Sequence, residues 1–535
     1  MTRATLAERM LLALILAVGA GLRLWLLLGP FSEIDADEAV VGLMAMQMPG
    51  ELPAFYWEQH YLGTIEPMAA AVLFALVGPS AAALKMVPAA FSLVFVGLVY
   101  LTARPVFGAG PALISALYLA VPPSFFAAWS VKARGGYPEA LALGMLCLLA
   151  AQRLADGPYG PGSHTGRGRV AWGWWSALGL SAGLALWTHP LTVVMVAAAA
   201  LYLLLAWRPW QDRWGRLGAG LPMVLVAAVG LVLGLSPAIA HNVANAFPSL
   251  MFAAESGTEP RAAVLNLWGL VRYGLPVLVG LAEGTPSREL LLRDWPTRLG
   301  SSWLATVTLP LIGIGVVWWY RRALAALAQG QGTVQDRGPA LFVIVLLLVP
   351  PFVAVSRFAN LWAEPRYALP IYAGVPLVSG VIWAARQRWR VLGSLLLACL
   401  LGLNLASLAT SDYRLSLPTS AGESTADNRA GLIAALQTRG ISRIYTDYWL
   451  AYPIAFESRE AIVPAVWSGG FGRRAVYSHL VFTADEPAFV FARDTVGDAE
   501  FQARLVASGG QATVEDISVY RVYTAVEPLN RMRGP

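Results

Sequence analysis

Charged side chains are scarce in this chain. Only 13% of its 535 residues are Asp, Glu, Lys or Arg, whereas 57% are hydrophobic and the mean hydropathy is +0.58. Soluble domains carry about 25% charged residues, so this composition excludes a soluble globular protein and indicates an integral membrane protein. The net charge of +6 comes from small groups of arginines dispersed between apolar runs, a pattern that sets membrane topology and predicts no nucleic-acid partner.

Cysteine and recognisable metal-binding spacings are equally scarce. Cys147 and Cys399 both lie inside apolar runs, which excludes a disulfide framework and a cysteine-type zinc site. His60, His189 and His241 fall on predicted outer loops or outer helix ends, but their spacing matches no ligand motif. Isolated interfacial histidines are therefore favoured over a metal site. The sequence predicts no cofactor and leaves a divalent metal ion open.

Apolar runs dominate the first 410 residues. A membrane-spanning helix needs roughly 20 apolar residues. Eleven runs approach this length: 10–28, 80–103, 109–127, 136–152, 172–188, 190–207, 217–237, 301–320, 340–356, 367–385 and 391–409. The first run could be a signal peptide, but it is long and no small-residue cleavage site follows it, so a retained helix is favoured.

The arginines predict which loops lie inside. With the N-terminus in the cytoplasm, nearly every inner loop carries arginine, whereas the first outer loop, 29–66, contains no Lys or Arg. We expect this loop and the second long outer segment, 238–300, to hold short amphipathic helices in the interface. An odd number of spans places the C-terminal part outside. The predicted location is the cytoplasmic (inner) membrane.

The composition changes after about residue 410. Helical and strand-like segments alternate over residues 411–535, which predicts a small extracytoplasmic α/β domain behind a helical membrane domain, 1–410. Helices are expected at "DNRAGLIAALQTRG" and "AEFQARLVASGG", and strands at "SRIYTDY", "AIVPAVW", "AFVFAR" and "ATVEDISVYRVYTA". This part contains no Gly-rich phosphate loop and no metal-ligand spacing.

Four carboxylates follow the first apolar run in "FSEIDADEAVVGLMA". Asp35 and Glu38 have the spacing of a capping box, in which a side chain and a carboxylate three residues later cap a helix. Asp37 has no such structural role, so it is the preferred candidate for a base that takes a proton from an acceptor hydroxyl. Asp35 and Glu38 remain secondary catalytic candidates, and Glu33 is expected to be solvated.

A second group of candidates lies in "WSVKARGGYPE", a predicted outer loop. Lys132 and Arg134 are cations on a predicted outer loop, whereas the positive-inside rule places most Lys and Arg in inner loops. They could pair with lipid headgroups, or they could bind the phosphate of an anionic lipid, which Gly135 and Gly136 would let the backbone approach. Tyr137 and Glu139 are candidate substrate contacts, and Glu139 could pair with either cation.

The outer loop "SRFANLWAEPRYALP" offers a third group. Arg357 and Arg366 could bind a lipid phosphate, since a guanidinium contacts phosphate through two parallel hydrogen bonds. Glu364 and Tyr367 are candidate substrate contacts beside them. The alternative is an interfacial anchor of aromatic and arginine side chains. Two residues of the first loop, His60 and Glu66, complete the set of candidate substrate contacts.

The first loop resembles that of a known superfamily. A first helix followed by an outer loop with an Asp-Glu pair, here Asp37-Glu38, is similar to the GT-C membrane glycosyltransferases, among them the protein O-mannosyltransferases and the lipid A aminoarabinose transferase. "EPRYALP" resembles the Arg-Tyr segment before a late helix in such bacterial enzymes. The resemblance implies a polyprenyl-phosphate sugar donor and Asp37 as catalytic base. "GTIEPMA" lacks the Lys-Pro-Pro of the aminoarabinose transferases, and Ala39 and Val40 stand where the mannosyltransferases have a histidine, so the sugar and the acceptor stay open.

Charges on the outer loops above an apolar floor predict an enzyme that works on a membrane-anchored substrate. We expect it to transfer a sugar, with inversion, from a polyprenyl phosphate to a hydroxyl of a lipid, glycan or protein acceptor. The alternative is a carrier or flippase for a lipid-linked sugar, which would need polar residues at mid-bilayer. The sequence shows few of these: Arg23 near one end of the first helix and little else.

Overall fold

A computed structural model of the chain describes residues 5–48, 50–156, 168–207, 215–255, 260–282, 295–356, 365–411, 425–467 and 472–533. Arg357 and Glu364 lie outside these ranges, as does most of the predicted cytoplasmic loop 156–169. The described chain consists of a large helical part followed by a five-stranded sheet with helices, as the sequence predicts.

The described residues up to Thr410 are mainly helical. Their helices are α1 (Leu6–Leu28), α2 (Ala36–Gln47), α3 (Ile65–Val77), α4 (Ala81–Phe107), α5 (Ala109–Ala120), α6 (Ser124–Trp129), α7 (Tyr137–Asp156), α8 (Gly168–Thr188), α9 (Val193–Trp207), α10 (Gly215–Ala244), α11 (Pro248–Glu255), α12 (Pro260–Gly269), α13 (Leu275–Leu278), α14 (Trp295–Trp319), α15 (Arg321–Gln329), α16 (Val334–Arg337), α17 (Pro339–Val355), α18 (Val375–Arg388) and α19 (Arg390–Thr410). Short 3-10 segments, Pro190–Thr192 and Arg366–Gly374, precede α9 and α18, and a π-helical turn, Leu270–Gly274, precedes α13.

All eleven predicted runs fall on helices, although the run at 109–127 is broken between α5 and α6. Among the described residues, seven helices are long and apolar enough to cross a membrane, and a bent pair, Trp303–Trp319 with Arg321–Gln329, would make an eighth. The remaining runs form shorter or less apolar helices. The chain is a multi-pass membrane protein.

Contacts at one end of the bundle join elements that the arginine pattern assigns to the cytoplasmic side. The Arg104 guanidinium at the end of α4 donates to both carboxylate oxygens of Glu8 in α1. Arg337 donates to the Ala155 carbonyl oxygen at 2.8 Å. These predicted inner groups therefore lie together, which supports a common side for them.

Arg23 of α1 is completely buried, and its position explains how the bundle accommodates the charge. The guanidinium donates to Ser92 Oγ at 2.8 Å and to the carbonyl oxygens of Ala120 and Leu119 at 2.7 and 3.2 Å. These carbonyls end α5 and have no partner within that helix. A cation at a helix C-terminus is favourable, so Arg23 has a structural role there.

The first loop folds on the opposite end of α1. After α2, the two strands β1 (Phe55–Tyr56) and β2 (Gln59–Gly63) form an antiparallel hairpin that the sequence did not predict. Helix α3 follows with 13 residues, about 20 Å long and shorter than the hydrocarbon core of a bilayer. The loop thus contains two short helices, α2 and α3, as expected, and α3 extends past the predicted end at residue 66. Helix α2 is buried along most of its length, so it is not the amphipathic interfacial helix that the sequence predicted.

The C-terminal part is an α/β unit. Its elements are α20 (Ala426–Thr438), β3 (Arg443–Thr446), α21 (Tyr448–Glu457), β4 (Val463–Val466), α22 (Ala475–Phe482), β5 (Ala488–Ala492), α23 (Val496–Ala507), β6 (Gln511–Ile517), β7 (Tyr520–Glu527) and α24 (Leu529–Met532). The sheet order is β4-β3-β5-β7-β6, with the first two pairings parallel and the last two antiparallel. All predicted strands and helices are present, whereas α21, α22 and α24 were not predicted.

Helix α21 attaches this unit to the first loop. Asp447 caps α21 by accepting hydrogen bonds from the backbone N–H groups of Trp449 and Leu450. Buried residues of α2, α21 and one face of the sheet form a single apolar cluster. Phe456 lies so close to α2 that a Cβ atom at Gly42 would come within 2.5 Å of its ring. The sheet is thus held directly behind the helix that bears the acidic stretch.

Candidate active site

Helix α2 begins at the acidic stretch because Asp35 caps it. Asp35 Oδ1 accepts from the backbone N–H of Glu38 at 2.9 Å, and Glu38 Oε2 accepts from the backbone N–H of Asp35 at 3.1 Å. This is the predicted capping box, and it is formed. Both side chains are buried, so they fix the direction in which α2 leaves the membrane part.

Glu38 also joins two other parts of the chain. Its Oε2 contacts Lys85 Nζ of α4 at 2.7 Å, and its Oε1 accepts from the backbone N–H of Ala133 at 3.0 Å. Neither Glu38 nor Lys85 is exposed. With both oxygens engaged in this way, Glu38 anchors three segments to one another, and its candidate catalytic role stays a prediction that this geometry does not favour.

Asp37, by contrast, faces a cavity, and its side chain is 25% exposed. Its Oδ1 accepts from the Tyr448 hydroxyl at 2.5 Å, and its Oδ2 pairs with Arg134 Nη2 at 3.1 Å. Burial alone would raise the pKa of Asp37, but Arg134, the Tyr448 hydroxyl and Arg473 outweigh it and hold the pKa below its ordinary value. Asp37 is therefore an ionised carboxylate at the cavity wall.

Arg134 bridges two of the carboxylates. Its Nη1 contacts Asp35 Oδ2 at 3.1 Å while Nη2 contacts Asp37, and the guanidinium lies 5.7 Å from the Trp129 ring centroid. Burial raises the pKa of Asp35, and Arg134 opposes this rise. Gly135 and Gly136, which follow, both have positive φ, and Gly136 donates its N–H to Glu66 Oε2 at 3.0 Å. The glycines thus form the turn that brings Arg134 back over α2.

Arg366 reaches the same cavity from the start of the 3-10 segment before α18. Its guanidinium lies 5.5 to 6.0 Å from the ring centroids of Trp129, Tyr137 and Tyr367. Such rings attract a cation through their negative faces. The three aromatic rings thereby hold the Arg366 guanidinium at the cavity wall.

The polar cavity has a volume of about 70 Å³. Its described lining consists of Asp37, Val40, Tyr56, Gln59, Tyr61, Leu62, Arg134, Gly135, Tyr137, His189, Arg366, Tyr367 and Arg473. Three arginines against one lining carboxylate make it a site for an anion. The lining comes from the first loop, the turn before α7, the turn before α9, the segment before α18 and the C-terminal unit.

A larger apolar groove of about 400 Å³ adjoins this cavity. Tyr61, His189 and Tyr367 line both, so the two are neighbours, and the groove continues along Leu186, Leu191, Leu235, Phe252 and Phe352. Burial and Arg366 lower the pKa of His189 to about 3, so its ring is neutral where the groove meets the cavity. A polar chamber that continues into an apolar groove suits an amphiphile with a charged head.

Both the sequence and the fold of this chain resemble those of known proteins. Residues 66–231 match the family described as dolichyl-phosphate-mannose-protein mannosyltransferase. The fold resembles that of ArnT from Cupriavidus metallidurans bound to undecaprenyl phosphate, with a TM-score of 0.55 and 16% identity over 98% of this chain and 99% of that one. The apo state of ArnT gives 0.54 and 16% over 93% and 94%. The chain has the GT-C fold.

A second structural relative agrees with this fold. The archaeal oligosaccharyltransferase AglB from Archaeoglobus fulgidus, in complex with an inhibitory peptide and a dolichol-phosphate, gives a TM-score of 0.52 and 13% identity, covering 97% of this chain and 74% of that one. A search of curated proteins finds no match. The resemblance to GT-C enzymes predicted from the first loop is confirmed.

Within the GT-C fold, five predicted site residues line the polar cavity: Asp37, Arg134, Tyr137, Arg366 and Tyr367. His60 lines the apolar groove instead. Lys132 is buried with its Nζ 5.2 Å from the Trp129 ring centroid, and it is not among the described lining residues. Its predicted contact with a lipid phosphate therefore stays a prediction without direct geometric support.

Glu66 and Glu139 are both fully buried carboxylates, and their charges interact. Glu66 Oε2 accepts from the Tyr56 hydroxyl at 2.6 Å, while its Oε1 and both oxygens of Glu139 have no hydrogen-bond partner. The expected pairing of Glu139 with Lys132 or Arg134 is therefore wrong. Two carboxylates that approach each other away from water cannot both ionise easily, so this pair retains a proton more readily than an exposed one.

Several residues of this site were not predicted. Tyr448 and Arg473 come from the C-terminal unit, and Lys85 lies inside an apolar run that was counted only as a membrane span. The bundle thus contains more buried charge than the sequence indicated. Among the described residues no group of three His, Cys, Asp or Glu is placed to hold a metal ion, and the rings of His60 and His241 stack on each other at 5.3 Å.

Proposed function

We propose that the protein is a glycosyltransferase of the outer face of the cytoplasmic membrane. It would move a sugar from a polyprenyl phosphate to a hydroxyl of a lipid, glycan or protein acceptor. Residues 1–410 would form the membrane part and residues 411–535 an external domain. The observation that carries the proposal is the junction of an anion-binding chamber, an ionised Asp37 and an apolar groove in one site.

The groove would take the isoprenoid chain next to the phosphate. The chain would enter from the bilayer, so packing against the aliphatic and aromatic lining, rather than transfer out of water, would hold it there. The phosphate would then lie near His189 and Tyr367, where groove and chamber meet. Undecaprenyl phosphate bound to ArnT and dolichol-phosphate bound to AglB support this class of donor.

Arg366 is the cation best placed to bind the donor phosphate. Arg366 lies in the chamber next to Tyr367, and Tyr367 lines both the chamber and the groove. As the bond between the anomeric carbon and the phosphate oxygen breaks, its electron pair stays on the phosphate. A guanidinium preorganised at that oxygen stabilises the charge that develops.

Asp37 would take the proton of the acceptor. The acceptor oxygen forms a bond to the anomeric carbon, its proton passes to the Asp37 carboxylate, and the polyprenyl phosphate leaves from the opposite face of the sugar. A single displacement of this kind inverts the configuration. The low pKa of Asp37 keeps it ready to accept a proton across the neutral pH range.

The experiment measures donor binding and transfer separately. Undecaprenyl phosphate is titrated into purified wild type, Arg366→Ala and Arg321→Ala; Arg321 also lies over a tryptophan ring, at 4.1 Å, but in α15 at the predicted inner side. Loss of a charge-assisted hydrogen bond should weaken binding about 10- to 100-fold in Arg366→Ala. Binding equal in both variants would contradict the phosphate site.

Transfer is followed by mass spectrometry of cell-envelope glycans and glycoproteins from cells with wild type, Asp37→Asn or no protein. Asp37→Asn keeps the side-chain size and should lower transfer by roughly 10²–10⁴-fold while it still binds undecaprenyl phosphate. If Asp37→Asn supports the same products as wild type, no base acts at this position and a carrier function becomes the better hypothesis.

A further inference from the structure

The C-terminal unit contributes Arg473 to the lining of the polar cavity and Tyr448 to a hydrogen bond with Asp37. Tyr448, the first residue of α21, donates to Asp37 Oδ1, and Arg473 Nε donates to the Tyr448 oxygen at 3.2 Å. In the amide orientation that satisfies both partners, the side-chain oxygen of Gln59 accepts from both Nη groups of Arg473, at 2.9 and 3.1 Å. A continuous series of hydrogen bonds thus runs from the hairpin of the first loop through the C-terminal unit to Asp37.

We propose that the C-terminal unit completes the catalytic centre: Tyr448, supported by Arg473, holds the Asp37 carboxylate in its working orientation, so that transfer requires this unit to be docked on the first loop. This inference rests on the proposed function, because it assigns Asp37 the role of base. Tyr448 and Arg473 are positioning residues, since neither forms nor breaks a bond in the reaction.

Both oxygens of Asp37 are oriented from opposite sides. Tyr448 contacts Oδ1 from the C-terminal unit, and Arg134 contacts Oδ2 from the turn before α7. Two contacts prevent rotation of the carboxylate about its last torsion, whereas one would leave it free to turn. A hydroxyl that itself accepts from a guanidinium is also a stronger donor, because hydrogen bonds in a chain polarise one another.

Several further contacts hold the C-terminal unit on the first loop, and they also place Tyr448 relative to Asp37. Beyond the shared apolar cluster of α2 and α21, Arg474 Nη2 contacts Glu51 Oε1 at 2.9 Å and Arg429 Nη2 contacts Glu33 Oε2 at 3.0 Å. Each pair joins the C-terminal unit to the first loop. Tyr448 is therefore placed relative to Asp37 by contacts on either side of it.

The test compares two tyrosines of the same unit. Tyr448→Phe removes the hydroxyl that contacts Asp37, whereas Tyr445→Phe removes a buried hydroxyl that has no hydrogen-bond partner. Transfer is measured in membranes supplied with a lipid extract of the same cells as donor, and undecaprenyl phosphate binding is measured on the purified variants. We expect Tyr448→Phe to transfer about tenfold more slowly, with binding within about twofold of wild type, and Tyr445→Phe to match wild type.

A pH profile distinguishes positioning from a general loss of structure. The charged or titratable groups around Asp37 are Arg134, Arg366, Arg473, Tyr448, Tyr61 and Asp35. Removing the Tyr448 donor raises the Asp37 pKa, so the loss of activity on the acid side should begin about one pH unit or more higher than in wild type. Arg473→Gln, which leaves Tyr448 in place, should shift it in the same direction by less.

Each outcome bears on one of the two hypotheses. If Tyr448→Phe behaves like Tyr445→Phe in rate and pH profile while Asp37→Asn is inactive, the inference is wrong and the proposed function stands. If Asp37→Asn is active, the proposed function is wrong. Should Tyr448→Phe fail to fold, Arg473→Gln decides: an unchanged rate and pH profile in that variant would overturn the inference.

Discussion

The buried ion pair between Lys85 and Glu38 leads to a prediction about which of two variants is the more stable. Lys85→Met removes the ammonium group and leaves the buried Glu38 without its ion-pair partner. Removing one partner of a buried pair costs about 3–5 kcal/mol. Glu38 keeps the backbone N–H groups of Asp35 and Ala133 as donors, at 3.1 and 3.0 Å. We therefore expect a loss near the lower limit, about 3 kcal/mol.

The second variant removes the charge as well. In Lys85→Met/Glu38→Gln, the amide oxygen can accept from only one of the two backbone N–H groups, so part of the capping box is lost, at about 1 kcal/mol. No uncompensated charge remains, however. The double variant should be more stable than Lys85→Met alone, although it contains one substitution more.

Unfolding can be followed through a native cysteine. Cys147 is buried and Cys399 is exposed, so in a Cys399→Ser background a thiol-reactive dye labels the protein only as it opens. The temperature at which half of the protein is labelled ranks the variants by stability. A double variant that melts below Lys85→Met, or a Lys85→Met variant that melts with wild type, would refute the assignment of this pair as a structural anchor.

Two further predictions concern pH and topology. Burial raises the pKa of Glu66 to about 8 from an ordinary value of 4.5; the folded protein therefore retains a proton that the unfolded chain releases, and stability should fall as pH rises through this interval by up to roughly 1.4 kcal/mol per unit. In Glu66→Gln the melting temperature should fall less between pH 5 and pH 8, and an identical slope would contradict this. In a background without Cys147 and Cys399, an impermeant thiol reagent should label Ala507→Cys in intact cells and leave Gln331→Cys unlabelled; labelling of Gln331→Cys would reverse the orientation.

Local patterns predicted local structure well. The capping box follows from two residues three positions apart, and Gly440 ends α20 with a positive φ, so both could be recognised without knowledge of the fold. Helix α21 was missed because "YWLAYPIAFE" is rich in aromatic residues and contains Pro453. Its formation depends on the Asp447 cap and on burial against α2, and burial is a tertiary effect that overrides propensity.

Residues of the site could be predicted only where a cation departed from the positive-inside pattern. Arg134 and Arg366 stood out as cations on outer loops, and both line the cavity. Tyr448 is 411 positions away from Asp37 in the sequence, and nothing in its neighbourhood indicates a partner in the first loop. The predicted absence of a structural role for Asp37 likewise needs correction, since the side chain joins the first loop to the C-terminal unit.

The close packing of Phe456 over Gly42 limits how this architecture can be recombined. Any side chain at position 42 would need the aromatic ring to move, and α21 carries Tyr448 together with that ring. A chimera that exchanges the C-terminal unit for that of a relative would therefore bring a new surface against an unchanged α2. Exchange should succeed only when residues 33–63 are transferred with the unit, so the first loop and residues 411–535 have to be exchanged together despite their separation along the chain.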